Sequence, residues 1–205
     1  ASSKRAVQAA YPLNVAPRGL VILVNFADVA FETEKAEMDS MLVGENYTRD
    51  YSYTYKGKTY KIQSQGSARQ YFEDASFGQY NPQFDVIGPV TISKEHSYYG
   101  KNDSYGSDMY PDKMVSEACT AADTLFDVDF TQYDNNNDGE VDFVFIIYAG
   151  YGEADGGAST TIWPHAWNLL AAGTQCKIDG KTVDLYACGN ELDFYSKMHT
   201  GIGTF

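Results

Sequence analysis

Tyr133-Asp134-Asn135-Asn136-Asn137-Asp138-Gly139-Glu140-Val141-Asp142 runs directly into Phe143-Val144-Phe145-Ile146-Ile147-Tyr148-Ala149-Gly150. Oxygen-bearing side chains stand at alternate positions, Asp134, Asn136 and Asp138, and Gly139 follows at the sixth. A hard cation such as calcium takes six to eight oxygens, and a loop of this spacing wraps them round one point while glycine permits the turn. Glu140 is seventh, where a backbone carbonyl serves, and Asp142 is ninth, where a further ligand is expected. The twelfth position carries Phe145 instead of a bidentate Glu, and the second half is an apolar run instead of a helix, so an EF-hand is excluded. The competing reading is an Asn/Asp-rich turn entering a buried strand, because these side chains bond their own backbone.

Outward from this point the chain alternates strand and helix signals. Gly19-Leu-Val-Ile-Leu-Val-Asn-Phe26 is a continuous apolar run, as in strands buried on both faces. Residues 33–43 predict a short helix with Met38, Met41 and Leu42 inward and Gly44 as its stop. Tyr51 to Ile62 alternates about Lys56-Gly57-Lys58 and predicts a hairpin. Ser67 and Gln70 have capping-box spacing, and Ala68, Tyr71, Phe72 and Ala75 mark one helical face. Residues 84–92 predict a strand that Pro89 pushes to a sheet edge. A Tyr/Gly/Asn/Asp-rich loop fills 96–111. Pro111 then opens a helix with Met114, Val115, Ala118, Cys119, Ala122, Leu125 and Phe126 at helical spacing. A second hairpin turns at Asp179-Gly180. Residues 1–18 read as an irregular lead-in, and the remainder as one mixed α/β domain.

Among 205 residues, 15 Lys and Arg face 28 Asp and Glu, a net charge of −13. With no basic run, nucleic acid is excluded as a partner, and the acidity suits attraction of divalent cations. No apolar run reaches membrane-spanning length. Cys119, Cys176 and Cys188 are too few and scattered for a disulfide framework or a cysteine zinc site. The hairpin register places Cys176 opposite Val183, away from Cys188, and Cys119 reads as a core residue.

Candidate chemistry is sparse. His96, His165 and His199 lack partners at the one-turn spacing of a helical zinc pair. His165, framed by Trp163, Pro164 and Trp167, reads most simply as wedged between aromatics and satisfied by a carbonyl. His96 and His199 read as surface residues. Glu153 and Asp155 are either a carboxylate pair, added ligands to a second cation, or solvated loop residues. Tyr98, Tyr99, Tyr105 and Tyr110 could contact a peptide or sugar, although a solvated loop is the simpler account. Nucleophile elbows and phosphate loops are absent.

Several segments in order resemble the immune inhibitor A family of secreted bacterial zinc metallopeptidases. They are Arg18–Phe26, Ser67–Gly78, Tyr133–Asp142 with its strand to Glu153, Ile162-Trp-Pro-His165, and Gly201-Ile-Gly-Thr-Phe205. The resemblance implies an α/β (mixed α+β) zincin-like fold: a twisted mixed sheet with backing helices, truncated before the active-site helix. Residues 19–205 would be the N-terminal part of the catalytic domain. In the family Gly-Ile-Gly-Thr-Phe leads into a His-Glu-x-x-His helix whose histidines bind zinc and whose glutamate activates water. Those positions lie beyond Phe205, so no catalytic or zinc-binding residue carries over, and the chain alone is expected to be inactive. A shortened polypeptide, a proteolysed one or one of two chains would each account for this.

Only the loop transfers, with Asp134, Asn136, Asp138, Glu140 and Asp142 as ligands of a structural calcium. Protein or peptide substrates, a secreted or cell-surface or periplasmic location, and association with a missing C-terminal half are also implied. An apolar surface is expected where that half would cover the sheet. The hairpin of 176–188 is the candidate for an edge strand that pairs with substrate backbone. The alternative function is a non-catalytic, calcium-stabilised extracellular module that binds peptides or glycans through exposed aromatics.

Overall fold

The computed structural model describes residues 16–198. In chain order it contains β1 (Arg18–Asn25), α1 (Lys35–Val43), β2 (Thr48–Tyr55), β3 (Lys58–Gln65), α2 (Ala68–Ala75), β4 (Gln83–Thr91), α3 (His96–Gly100) and α4 (Pro111–Phe126). A 3-10 turn at Phe130–Tyr133 then precedes β5 (Glu140–Val141), β6 (Val144–Tyr151), β7 (His165–Asn168), β8 (Cys176–Ile178), β9 (Lys181–Val183) and β10 (Leu185–Leu192). The fold is mixed α+β.

The central sheet has the order β4-β1-β6-β10-β7. β1 runs parallel to β4 and β6, β10 runs parallel to β6, and β7 alone is antiparallel, paired to β10. A parallel sheet needs cover on both faces, which explains why β1 and β6 are apolar throughout. Leu20, Ile22 and Val24 of β1 join Val144, Ile146 and Tyr148 of β6 in a core sealed by Met114, Val115, Ala118, Cys119 and Ala122 of α4. Val21 and Leu23 join Phe145 and Ile147 on the other face, under Met38, Met41 and Leu42 of α1 and Ala68 of α2. The chain moves one way along the sheet from β1 to β4 and back from β4 to β6, so right-handed crossovers place the two helical layers on opposite faces.

Local chemistry follows the sequence closely in places. Ser67 accepts the Gln70 N–H and the Gln70 side chain accepts the Ser67 N–H, a complete capping box that starts α2. Lys56 and Gly57 both take positive φ, 48° and 74°, closing the β2–β3 hairpin. Pro111 is in the first turn of α4, and β4, with Pro89, is an edge strand as expected. Cys176 lies opposite Val183, and all three cysteines are free and buried.

Four expectations are corrected. Within α2 only Ala68 is buried, and Tyr71 is exposed. Leu125 and Phe126 continue the helical spacing of α4 but lie past the edge of the sheet, exposed. His96 is buried, with its ring stacked on Phe26 at 4.1 Å between centroids. The 176–188 hairpin does not supply an edge of the central sheet: β8 and β9 form a small sheet with β5, β10 is internal, and the central sheet's edges are β4 and the antiparallel β7.

The layer formed by α1 and α2 does not extend over the β10–β7 end of its face. There Leu185 is 40% exposed, Ala166 is exposed, and Phe143 and Ala187 are half-buried. Among the described residues these apolar side chains form a strip that no helix covers.

Candidate functional site

The carboxylate loop is built from the 3-10 turn inward. That turn delivers Asp134 into the protein, where its side chain is fully buried. Asp134 Oδ1 accepts the Asp138 N–H at 3.0 Å, and Oδ2 accepts the Gly139 N–H at 3.0 Å. The Lys181 ammonium, arriving on β9, donates to the same Oδ2 at 2.6 Å. Burial alone would raise the Asp134 carboxyl, but Lys181 and the two amides outweigh it and hold the group below the usual carboxylate range.

The other loop residues turn on themselves. Asn136 Oδ1 accepts the Asp138 N–H at 3.0 Å and Asp138 Oδ1 accepts the Glu140 N–H at 2.9 Å. Gly139 takes φ +95°, a conformation that a side chain would strain. Glu140 is exposed, and partial burial with the charges of Asp138, Asp184 and Asp134 pushes its carboxyl up. Asp142 Oδ2 accepts both the backbone and side-chain N–H groups of Asn135, at 2.6 and 2.9 Å. Asn135 in turn exchanges two hydrogen bonds with the backbone of Arg18 at 2.8 and 3.0 Å, which ties the loop to the start of β1.

The loop thus brings Asp134, Asn136 and Asp138 together, while Asp142 is hydrogen-bonded to Asn135. Among the described residues no group of three or more His, Cys, Asp or Glu could hold a metal ion. In this structure Asp142 is engaged by Asn135, and Asp134 by Lys181. His96 Nε2 accepts the buried Ile162 N–H at 3.1 Å, and His199 lies outside the described residues. Sequence reasoning missed Lys181 and Asn135. Neither carries a local signal, since the partners are 47 and 117 residues away.

A second feature lies along β7. A cleft of about 480 Å³ is bounded by Asn102, Asp108, Glu153, Trp163, His165 and Trp167. The pairing of β7 with β10 puts His165 and Trp167 on the α4 side of the sheet, beside Cys188 and Tyr186. His165 Nδ1 donates to the Trp163 carbonyl at 2.6 Å, and Nε2 then accepts from the Tyr186 hydroxyl at 2.9 Å. His165 is therefore held between aromatics and a carbonyl, as expected. Glu153 and Asp155 do not pair: Glu153 meets the Asn102 amide at 3.4 Å, and Asp155 accepts from the Asn190 amide at 2.7 Å. In the tyrosine-rich segment Tyr99 is buried, Tyr98 stacks on Tyr110, and Tyr105 is 92% exposed.

One buried carboxylate was not anticipated. Glu191 at the end of β10 accepts the Glu32, Thr33 and Gly150 N–H groups. Burial nevertheless leaves its carboxyl raised.

The molecule is thus a mixed α+β domain whose parallel strands end in one antiparallel edge strand beside an acidic, tryptophan-walled cleft. The model of the immune inhibitor A peptidase M6 catalytic domain matches residues 14–196, and the chain belongs to that family. It is 28% identical over 188 residues to Immune inhibitor A of Bacillus thuringiensis subsp. alesti, an alignment covering 78% of this chain and 27% of that protein. The chain therefore spans about a quarter of the length of the curated relative it matches. Among the described residues no helix is long and apolar enough to cross a membrane.

Proposed function

We propose that the chain forms the substrate-aligning part of a secreted zinc-dependent endopeptidase. The observation that carries this reading is the antiparallel edge strand β7, bordering a cleft in a chain of a peptidase family. An extended peptide adds to such an edge through main-chain hydrogen bonds. The zinc ligands and the base would lie outside residues 16–198, and the segment bearing them would pack on the uncovered strip at Leu185 and Ala187. Residues 1–205 alone would then be inactive. The test is hydrolysis of a quenched casein substrate by the longer parent polypeptide, with and without a zinc chelator. Cleavage that survives chelation, or an inert parent, would overturn the reading. An inert parent that still binds peptides or glycans would instead favour a non-catalytic binding module, which the exposed Trp163 and Trp167 would suit.

A structural calcium in the Asp134–Asp142 loop belongs to the same proposal. The support is the spacing of Asp134, Asn136 and Asp138, with Glu140 and Asp142 completing the set. Calcium would require Lys181 to leave Asp134 and Asp142 to leave Asn135. A ligand that binds only the folded state at a hundredfold excess over its Kd stabilises it by about 2.7 kcal/mol. We expect calcium to raise Tm after EDTA treatment, and to raise it further in Lys181→Met. Indifference of both proteins to calcium would leave the ammonium as the loop's own cation.

A further inference from the structure

We propose that the cleft beside β7 binds a basic side chain, lysine or arginine, of a peptide extended along that strand. The proposal deepens the peptidase reading by naming a substrate class, and rests on it only for the source of the peptide.

Four observations converge. First, the cleft is acidic: Asp108 and Glu153 line it, and among the described residues neither forms an ion pair and no Lys or Arg lines the cleft. Asp112, which also lines it, is occupied by the Thr174 hydroxyl. Second, Asp108 is half satisfied. Its Oδ2 accepts the Trp163 N–H at 2.9 Å, while Oδ1 is buried and has no hydrogen-bond partner among the described residues. A buried acceptor without a donor is costly, and a turn of the Asp108 side chain would bring this oxygen into the cleft, where a cationic N–H donor would remove that cost. Third, the walls are Trp163 and Trp167, 53% and 56% exposed, and indole faces attract ammonium and guanidinium groups. Fourth, among the described residues one edge of β7 is without a strand partner, so a peptide lying there presents every second side chain to the Trp167 side. Burial, with the neighbouring Glu153 charge, raises the Asp108 carboxyl against the amide of Trp163 and the influence of His165, as expected where no cation is in place.

A divalent cation suits the cleft less well, because no group of three metal-binding side chains forms among the described residues. A long basic side chain needs fewer ligands. It can lay its methylenes on the indoles and carry its charge to Asp108 and Glu153.

The chain contains two tryptophans, and both border this cleft, so its intrinsic tryptophan fluorescence reports on the site. The experiment titrates the 205-residue protein with two acetylated, amidated pentapeptides, Ala-Ala-Lys-Ala-Ala and its norleucine counterpart. We expect the lysine peptide to shift the emission and to bind about tenfold more tightly or better, the equivalent of about 1.4 kcal/mol. Asp108→Asn keeps an oxygen for the Trp163 amide and Glu153→Gln keeps an oxygen for the Asn102 amide, so each should fold and lower the lysine-to-norleucine ratio toward one. Equal binding of the two peptides, no binding of either, or a ratio unchanged in both variants overturns the proposal. Lysine selectivity without casein cleavage by the parent would sink the peptidase reading and leave this one standing. Cleavage without lysine selectivity would do the reverse.

Discussion

Acidification from pH 7.5 to pH 5 should remove about 2 kcal/mol of stability through His96 alone. The ring is buried against Phe26, and Nε2 is the acceptor for the Ile162 N–H, so the neutral form is built into the fold. Burial lowers its pKa to about 4, against a weaker opposing influence from Asp28. In the unfolded chain the ordinary value of 6.5 applies, so the unfolded state takes up the proton first. The sign is therefore fixed: the stabilisation is complete above pH 6.5 and is lost as pH falls through the window from 6.5 to about 4. The whole gap is worth about 3 kcal/mol, of which about 2 is gone by pH 5. In a domain of this size that corresponds to a Tm lower by roughly 4–8 °C. Thermal melts at half-unit pH steps, on the wild type and His96→Gln, isolate the effect, because other titrations are common to both. The variant should start less stable and show a shallower acid slope. Parallel slopes, or an imidazole NMR titration of His96 near 6.5, would refute the reasoning.

Asp134→Ala should cost about 3–5 kcal/mol, because it leaves Lys181 unpaired and orphans the amides of Asp138 and Gly139; urea unfolding showing under 1 kcal/mol would refute that role. Because the folded-state pKa of Asp134 is lowered, its contribution is present above about pH 4 and disappears only in stronger acid, a window separate from that of His96. Gly100→Ala would put a methyl carbon 2.6 Å from the backbone of Thr161 and Ile162, so we expect a loss of about 1–3 kcal/mol and weaker protection of the Ile162 amide in hydrogen exchange. Ser67→Ala removes one half of the α2 capping box and should lower stability by about 1 kcal/mol, measured by denaturant midpoint at unchanged slope.

What could be read from the sequence was what its own neighbourhood decides. Leu20 to Val24 announces a strand covered on both faces, Ser67 and Gln70 announce a helix start, and the Asp179-Gly180 turn fixes Cys176 against Val183. Partners brought from a distance could not be read. His96 is polar and sits in a tyrosine-rich loop, and only Phe26, 70 positions earlier, makes a buried stack of it. The loop's ring of oxygens was legible, but Lys181 reaches it through the pairing of β5 with β9, a contact between segments about 40 residues apart. The edge strand was misplaced for a related reason. The 176–188 hairpin carries the stronger strand signal, whereas β7 has four residues with no marked apolar alternation. Leu185–Leu192 is mostly buried, which marks an internal strand, and that burial exists only once β6 is in place beside it.

The sheet order also governs how the protein can be made. Residues 20–24 lie in an internal strand of the sheet, yet their second neighbour, β6, begins at Val144, and β10 ends at Leu192. At about 5–20 residues per second, synthesis takes roughly 6–25 s to pass from Val24 to Tyr151, the end of β6. Through most of that interval a nascent Leu-Val-Ile-Leu-Val segment has β4 on one side at most and an open, apolar edge on the other, the arrangement that invites pairing with another chain. A holdase that grips extended apolar segments would find its target at Leu20–Val24, and arrival of β6 would evict it.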